Sequence, residues 1–231
     1  MSMKLAIVIP AYNEEETLGI VLNSLPKKLK GIREIKTIVV DDGSKDRTHE
    51  IARWNQVMAL KHIVNLGVGA ATITGLEAAR KINSDIVITL DADGQHSPSN
   101  IEKLIEPIIK KEVDIVIGSR DYKIKNMPVV KVFGNLMMNT LTYMVFRKWS
   151  ADSQSGMKAF SKSALEKIKL HSTGYEICSE IIGEIKRNNI QYKEIKIDTI
   201  YTDYSKLRGQ NILNGINILT KSLFIKIASI K

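Results

Sequence analysis

The sequence predicts a three-layer α/β fold, in which helices cover both faces of a mostly parallel sheet. Short apolar runs alternate with stretches of helical spacing, as in βαβ units whose strands are buried on both faces. The 231 residues suit one domain with a sizeable core. Polar or glycine-rich segments follow the ends of the first five predicted strands. Because ligands bind at the carboxyl ends of parallel strands, these segments indicate a ligand site.

The first half of the chain alternates regularly between strand and helix. Runs of β-branched and aliphatic residues predict strands at 4–9, 34–40, 57–63, 85–90 and 113–118. Helical spacing predicts helices at about 14–29, 46–54, 69–82 and 98–111. Ser97 and Pro98 predict the start of the fourth helix, because Ser caps helices and Pro suits their first position.

After residue 119 the alternation is less regular. Residues 129–147 predict an amphipathic helix rich in apolar side chains, and residues 156–160 a short strand. Helices are predicted near 162–169 and 175–189, and the alternating segment 192–202 predicts a half-buried strand. Residues 211–230 carry apolar residues every three or four positions, which predicts a further C-terminal amphipathic helix.

The net charge of +9 is concentrated in two segments. Residues 120–150 carry six basic residues and one acidic residue, and residues 204–231 carry five basic residues and no acidic one. A pI near 9.4 first suggests a nucleic-acid partner. No helix-turn-helix, zinc-ligand or RNP-type pattern accompanies it, so we expect no nucleic acid. Localised basic charge also suits phosphate ligands or an anionic membrane surface.

Cysteine content and hydropathy indicate the compartment. Cys178 is the single cysteine, which excludes an internal disulfide and fits a reducing, cytosolic setting. The amino-terminal residues do not resemble a signal peptide. No run reaches the roughly 18 apolar residues of a membrane span.

Two carboxylates follow the fourth predicted strand. Asp91 and Asp93 would point the same way in an extended chain, with Gln95 next in phase, which predicts a site for a hard divalent cation such as Mg²⁺ or Mn²⁺. A solvated turn is the alternative, since Asp and Gly are common in turns. An EF-hand loop would also place Glu102 at its twelfth position, but its sixth position, where Gly is needed, is His96.

The other strand ends carry similar chemistry. They are PAYNEEE (10–16), DDGSKDRT (41–48), NLGVGAA (65–71) and GSR (118–120). Each has a structural alternative, because Asn13 and Ser44 can cap helices and Gly67 and Gly69 can permit a turn.

These motifs, with DADGQH (91–96) and DSQSGMKAF (152–160), resemble family 2 glycosyltransferases of GT-A fold, which is Rossmann-like. DADGQH and YSKLRG (204–209) make the chain most similar to the branch of dolichyl-phosphate mannose synthases and polyprenyl-phosphate glycosyltransferases. The resemblance implies a nucleotide-sugar donor, a divalent metal and transfer of one sugar. It also implies a single GT-A domain over 1–231, with a nucleotide-sugar and metal half (1–120) and an acceptor half (121–231).

The resemblance also implies roles for individual residues. Asp93, Arg120 and Asp152 would be catalytic, although a structural role for Asp152 is an equal alternative. The metal would be held by Asp91, Asp93 and Gln95. The nucleotide would be bound by Pro10, Tyr12, Glu14 and either Asp41 or Asp42. Phosphates or the acceptor would be bound by Arg120, Lys131, Ser205, Lys206 and Arg208. The segment TIYTDY (199–204) lacks arginines that mannose synthases carry, which leaves the identity of donor and acceptor open.

The predicted function is therefore metal-dependent, inverting transfer of a sugar from GDP-mannose or a UDP-hexose to a polyprenyl phosphate. The helices 129–147 and 211–230 would lie on the cytoplasmic membrane face, where a small membrane-protein partner could add anchoring. Alternatives are a polysaccharide or protein acceptor, or a non-catalytic nucleotide-binding subunit at the membrane surface. A sugar nucleotidyltransferase is disfavoured, since residues 10–16 lack the glycines and basic residues of its opening loop.

Overall fold

The structure is a computed structural model that describes residues 3–120 and 129–199. Its centre is a seven-stranded sheet of order β3-β2-β1-β4-β6-β5-β7. Within it β6 runs antiparallel to both neighbours, whereas the other strand pairs are parallel. This confirms the mostly parallel sheet. The strands are β1 (Met3–Ala11), β2 (Ile32–Asp41), β3 (Met58–Lys61), β4 (Ile86–Thr89), β5 (Ile115–Arg120), β6 (Lys158–Ser161) and β7 (Tyr192–Ile197).

Helices cover both faces of this sheet. They are α1 (Leu18–Ser24), α2 (Thr48–Trp54), α3 (Val68–Lys81), α4 (Asn100–Ile109), α5 (Val129–Phe146), α6 (Lys162–Lys167) and α7 (Ile177–Arg187). The predicted helix at 211–230 lies outside the described residues.

Alternation along β1 generates two separate cores. Leu5, Ile7 and Ile9 face one way and pack with α1, α2 and α4. Ala6 and Val8 face the other way and pack with α3, α6 and α7. All five side chains are fully buried, as expected for a central strand covered on both faces. The three-layer prediction is confirmed.

The order of the strands creates a crevice beside β1. The chain builds β1, β2 and β3 in one direction across the sheet and then returns to place β4 on the other side of β1. The loops that leave β1 and β4 therefore diverge, and such a reversal point is where ligands bind in open α/β sheets.

The first helix is shorter than predicted. Instead of 14–29 it spans Leu18–Ser24. Before it, the backbone N–H of Asn13 donates to Ser44 in the β2–α2 loop and that of Glu14 donates to Thr48 at the start of α2, so these residues belong to a loop. After it, Leu25 is extended, as is usual for a residue that precedes proline, here Pro26.

The predicted start of the fourth helix is also wrong. α4 begins at Asn100, and its N-cap residue Ser99 makes no side-chain capping bond. Ser97 and Pro98 instead form a turn, in which the Asn100 N–H donates to the Ser97 carbonyl at 3.0 Å. The Asn100 side chain also bonds the Asp198 carbonyl at 3.0 Å, a contact distant in sequence that favours this turn.

Gly75 is predicted to be required for the packing of α3 on the sheet. A Cβ at this position would lie 2.2 Å from Cγ1 of Val8, and Val8 is fully buried in β1. We expect Gly75→Ala to destabilise the fold by about 1–3 kcal/mol through overpacking, measured by urea unfolding. Gly134→Ala adds a Cβ in α5 that would meet no described residue within 4 Å, so it should instead be neutral or stabilising. Equal stabilities of the two variants would contradict this packing.

Candidate active site at the carboxyl edge of the sheet

The candidate site lies where β1, β2, β4 and β5 end. Because β6 is antiparallel, its first residue, Lys158, pairs with Thr89 at the end of β4 and with Ile117 in the middle of β5. The segment 152–158 is thereby brought to the same edge as the predicted site residues of the other strands.

The loops after β1 and β2 are cross-linked by hydrogen bonds. The Asn13 N–H donates to Ser44 Oγ at 2.9 Å, and the Lys45 N–H donates to Asn13 Oδ1 at 3.0 Å. The Glu14 N–H donates to Thr48 Oγ1 at 2.8 Å. Asn13 and Ser44 therefore join two loops, and the alternative that they cap helices is wrong. Pro10, Tyr12 and Glu14 lie on the first of these loops or just before it, with Tyr12 largely exposed.

Asp41 and Asp42 are both buried but differ in their contacts. Asp42 accepts hydrogen bonds from the backbone N–H of Leu66 and Gly67 at 3.0 and 2.7 Å and contacts His62 Nδ1 at 2.7 Å. Its two oxygens thus fix the loop after β3. Asp41 Oδ1 accepts from the Ser44 N–H at 2.9 Å. Its Oδ2 receives no hydrogen bond from the described residues, but Lys61 Nζ lies 3.6 Å and His49 Nδ1 3.9 Å from it.

The prediction that Asp91 and Asp93 lie on extended chain is wrong. β4 ends at Thr89, and residues 92–94 form a turn in which Gly94 has φ 72°. The turn lets Gln95 contact Asp93, with its N–H and Nε2 at 2.9 and 2.6 Å from the two carboxylate oxygens. The three predicted metal ligands thus stay close together, although by a turn rather than by strand alternation.

The pKa values of Asp91 and Asp93 are shifted in opposite directions. Burial and the charge of Asp91 raise the pKa of Asp93 to about 6. Burial also opposes ionisation of Asp91, but the hydrogen bond and charge of His96, with the charges of Lys158 and Arg120, outweigh it and lower the pKa of Asp91. One of these two adjacent carboxyl groups resists ionisation, and a bound cation would stabilise the ionised form of both.

The donor set fits a divalent cation that also binds a ligand. Within the described ranges no group of three His, Cys, Asp or Glu side chains converges to hold a metal by itself. Mg²⁺ commonly uses one or two carboxylates and completes its shell with water and substrate phosphates. Asp91, Asp93 and the Gln95 amide match that pattern.

Arg120 and Asp152 form a buried bidentate pair. Arg120 Nε and Nη2 each donate to an Asp152 oxygen at 2.7 Å, and the Arg120 backbone N–H adds a third bond at 3.0 Å. The Asp152 side chain has no exposed surface, whereas that of Arg120 is 17% exposed. Burial opposes ionisation of Asp152, but Arg120 outweighs it and lowers the pKa of Asp152. The pair fixes Arg120 at the end of β5.

Lys158 was not identified from the sequence. It is a fully buried side chain in β6 whose Nζ donates to the Ser155 carbonyl, and its positive charge lowers the pKa of Asp91 and Asp152. The feature of the sequence that could have indicated it is a charged lysine between the apolar residues Met157 and Ala159 in a strand-like run.

Three buried glutamates on α7 and its N-cap were also missed. They lie at a spacing of four residues and accept backbone hydrogen bonds from the preceding loop: Lys169 to Glu184, His171 and Ser172 to Glu180, and Gly174 to Glu176, at 2.9–3.1 Å. In sequence this spacing is typical of a solvated helix face. The loop leads to Tyr175, whose pKa is raised by burial and by the charges of Asp91 and Asp93.

Several predicted residues lie outside the described part of the structure. They are Ser205, Lys206 and Arg208, together with the side chain of Lys131, whose backbone belongs to α5.

Comparisons with known proteins agree with this geometry. The family profile described as "Glycosyl transferase family 2" matches residues 6–169. The chain is 41% identical to a UDP-N-acetylglucosamine–dolichyl-phosphate N-acetylglucosaminyltransferase of Methanococcus voltae, over 97% of this chain and 96% of that protein. It is 31% identical to a dolichol-phosphate mannosyltransferase of Pyrococcus furiosus, over 94% of this chain and 61% of that protein.

A solved structure shows the same fold. Glucosyl-3-phosphoglycerate synthase from Mycobacterium tuberculosis, in complex with Mn²⁺ and UDP-glucose, superposes with a TM-score of 0.70 at 19% identity, over 98% of this chain and 78% of that one. The GT-A-like three-layer architecture is thereby confirmed.

The Arg120–Asp152 pair generates a stability prediction. Asp152→Ala removes both hydrogen bonds that the largely buried Arg120 guanidinium donates to Asp152 and should cost about 3–5 kcal/mol of unfolding free energy at neutral pH. Because the folded pKa of Asp152 is lowered, this contribution is present above the unfolded pKa and is lost as the pH falls below about 4. Urea unfolding at several pH values measures it. Asp198→Ala removes an exposed pair with Lys103 and should cost at most about 1 kcal/mol; equal losses in both variants would contradict the assignment.

The raised pKa of Asp93 generates a metal-binding prediction. A metal would bind the ionised Asp93 carboxylate, so protons would compete with it below pH 6. Mn²⁺ affinity, measured by calorimetric titration, should be constant above about pH 7 and fall about tenfold per unit below about pH 6 for one competing proton. The Asp93→Asn variant has no carboxyl group at this position. It should bind Mn²⁺ weakly, and its affinity should not fall in this way below about pH 6. A wild-type affinity that stays constant from pH 7.5 to pH 5 would contradict the prediction.

Proposed function

Because this chain belongs to glycosyl transferase family 2, in the branch whose relatives are named dolichyl-phosphate glycosyltransferases, we propose that it transfers one sugar from a nucleotide-sugar to a polyprenyl phosphate. It is an enzyme of the nucleotide-sugar glycosyltransferase class. The observation that carries the proposal is the pairing of Asp91 and Asp93 at the β1–β4 crevice, where burial and the charge of Asp91 raise the pKa of Asp93 to about 6.

The diphosphate of the donor would lie beside this carboxylate pair. When bound, Mg²⁺ or Mn²⁺ would supply charge stabilisation for the leaving nucleoside diphosphate. Asp91, Asp93 and Gln95 would hold it. We assign Arg120 to the same phosphates, because its guanidinium is fixed at this edge and is partly exposed. Asp152 then acts as a positioning residue, since Arg120 occupies both of its oxygens.

The nucleotide would extend along the loops after β1 and β2, beside Pro10, Tyr12 and Glu14. Of the two aspartates at the end of β2, we assign the contact with base or ribose to Asp41. Its Oδ2 receives no hydrogen bond from the described residues, and a buried acceptor gains from a ligand N–H or O–H donor. Asp42 is committed to the loop after β3.

Among candidate donors, a UDP-N-acetylhexosamine has the strongest support. The 41%-identical relative carries UDP-N-acetylglucosamine in its name and aligns over nearly its whole length. Donors of mannose and of glucose follow, because the names of other relatives contain these two sugars.

The reaction would be a direct displacement with inversion. An oxygen of the acceptor phosphate attacks the anomeric carbon, and the bond from that carbon to the donor diphosphate breaks. Because the acceptor phosphate is already anionic, the step needs no strong general base. Lys131, Ser205, Lys206 and Arg208 are assigned to the acceptor or donor phosphates.

The lipid acceptor would bring the enzyme to the cytoplasmic membrane face. No described helix is long and apolar enough to cross a bilayer. α5 is instead buried on one side, through Met138 and Val145, and exposes Leu136 and Met144 on another. Trp149 follows, half-exposed, and aromatic residues of this kind favour the membrane interface. With the basic residues of 120–150 and 204–231, this surface suits an anionic bilayer, and a small membrane-protein partner would add to the attachment.

A transfer assay tests the function. Purified protein with Mn²⁺ is given UDP-N-acetylglucosamine, UDP-glucose or GDP-mannose and a short-chain polyprenyl phosphate in anionic vesicles. We expect one donor to yield a glycosyl polyprenyl phosphate.

Variants of the proposed site residues should affect this transfer to different extents. Asp93→Asn should reduce transfer to background, and Gln95→Ala should have a milder effect. Arg120→Ala should lower kcat/KM at least about tenfold, or about 1.4 kcal/mol. Asp198→Asn, on an exposed ion pair, is the matched control and should be unaffected.

The outcomes separate the alternatives. Turnover by Asp93→Asn near the wild-type rate would refute the metal assignment. Transfer to a polysaccharide or protein, with none to the polyprenyl phosphate, would favour the alternative acceptor class. Nucleotide binding without transfer to any acceptor would favour the non-catalytic subunit.

A further inference from the structure

We propose that His96 and Gly156 are positioning residues that together form a cradle for the carboxylate of Asp91 and fix it in its metal-binding orientation. The inference rests on the proposed function, in which Asp91 is a metal ligand. It assigns a purpose to two residues, one from DADGQH and one from DSQSGMKAF, that neither touch the metal nor bind the donor in that proposal.

One wall of the cradle is the imidazole of His96. Its Nε2 lies 3.2 Å from Asp91 Oδ2, and the side chain is 5% exposed. Its Nδ1 has no hydrogen-bond partner among the described residues. Asp91 is therefore the polar group that sets the orientation of this ring. A buried imidazole that contacts a ligating carboxylate has the geometry of an outer-shell partner, which restricts the ligand to one rotamer.

On its other side the Asp91 carboxylate lies against the backbone of Gly156, which has no side chain. A Cβ there would lie 2.1 Å from Asp91 Oδ2, 2.2 Å from Oδ1 and 2.4 Å from Cγ. All three distances are far inside van der Waals contact, so the whole carboxyl group lies against the glycine. Gly156 is not among the residues with positive φ, hence its backbone would accept other residues. The close approach to Asp91 is what requires glycine.

The position of Gly156 is itself fixed by the sheet. Thr89 Oγ1 donates to the Gly156 carbonyl at 2.6 Å and accepts from the Lys158 N–H at 3.2 Å. Since Thr89 is the last residue of β4, the Gly156 backbone is tied to the strand that leads into Asp91. The buried ammonium of Lys158 adds electrostatic attraction for the carboxylate.

These contacts leave Asp91 little freedom. With Oδ2 held by His96 and the carboxyl group against Gly156, rotation of the side chain would break a polar contact or cause a clash. A preorganised ligand loses less conformational entropy when the metal binds. Displacement of a reacting or ligating group by about 1 Å can cost on the order of 100-fold in rate, so the cradle should affect both metal affinity and transfer.

Five variants test the cradle by calorimetric titration with Mn²⁺ alone. Asp91→Asn defines loss of the ligand. Gly156→Ala should weaken Mn²⁺ binding about 10- to 100-fold, as is usual when an outer-shell partner is lost. His96→Leu should have a similar effect. His96→Gln, whose amide nitrogen can take the place of Nε2, should restore most of the affinity. His96→Asn, whose shorter amide corresponds to Nδ1, should not.

Matched controls separate positioning from general destabilisation. Gly19→Ala adds a Cβ that would lie 3.6 Å from Ile51 Cγ2, an ordinary contact, and His171→Leu alters an exposed histidine. Both should bind Mn²⁺ as the wild type does. Circular dichroism and urea unfolding establish that each variant is folded. If Gly156→Ala fails to fold, the comparison of His96→Gln with His96→Asn and His96→Leu carries the test.

The outcomes distinguish the metal-binding role of Asp91 from the positioning role of His96 and Gly156. Wild-type Mn²⁺ affinity in Asp91→Asn would overturn the metal site and the cradle with it. Loss of affinity in Asp91→Asn, combined with wild-type affinity in folded Gly156→Ala and His96→Leu, would overturn the cradle and leave the proposed function intact. Equal affinities of the Gln, Asn and Leu variants at His96 would overturn the role of its Nε2.

Discussion

The antiparallel insertion of β6 between β4 and β5 is the constraint on which the candidate site depends. In an otherwise parallel sheet the start of a strand lies far from the ends of its neighbours. Because β6 runs the other way, its first residue, Lys158, pairs with Thr89 at the end of β4 and with Ile117 in the middle of β5. The segment that precedes β6 can then supply Asp152 to Arg120 and the Gly156 backbone to Asp91.

This arrangement brings several charges together at a partly buried edge of the sheet, where unpaired charges are costly. Arg120 and Asp152 neutralise each other at short distance, and the buried Lys158 lowers the pKa of Asp91. Asp93 is the carboxyl group whose pKa is raised. The cluster is therefore well balanced except at Asp93, and a divalent cation would provide the missing positive charge. Charge balance and ligand binding are thus aspects of the same arrangement.

The sequence predicted those features that depend on neighbouring residues. Strand positions followed from short apolar runs, and the position of Asp91 and Asp93 at a strand end followed from the run before them. Features that depend on distant residues were not predictable in this way. The turn at Ser97 forms because Asn100 bonds Asp198, and Lys158 is buried because β6 lies between two strands. A lysine in an apolar strand gives no indication of the charges it will face.

Glycines at this edge of the sheet permit contacts that no other residue would allow. A Cβ on Gly69 would lie 2.3 Å from the Ser172 carbonyl oxygen, and one on Gly67 would lie 2.4 Å from that of Thr173. The start of α3 therefore packs directly on the loop that the glutamates of α7 hold. Backbone contacts of this kind have few rotameric alternatives, so the edge is defined by main-chain geometry and not only by side chains. Since Tyr175 follows directly after Gly174 in that loop, the same glycines also fix the backbone from which Tyr175 projects.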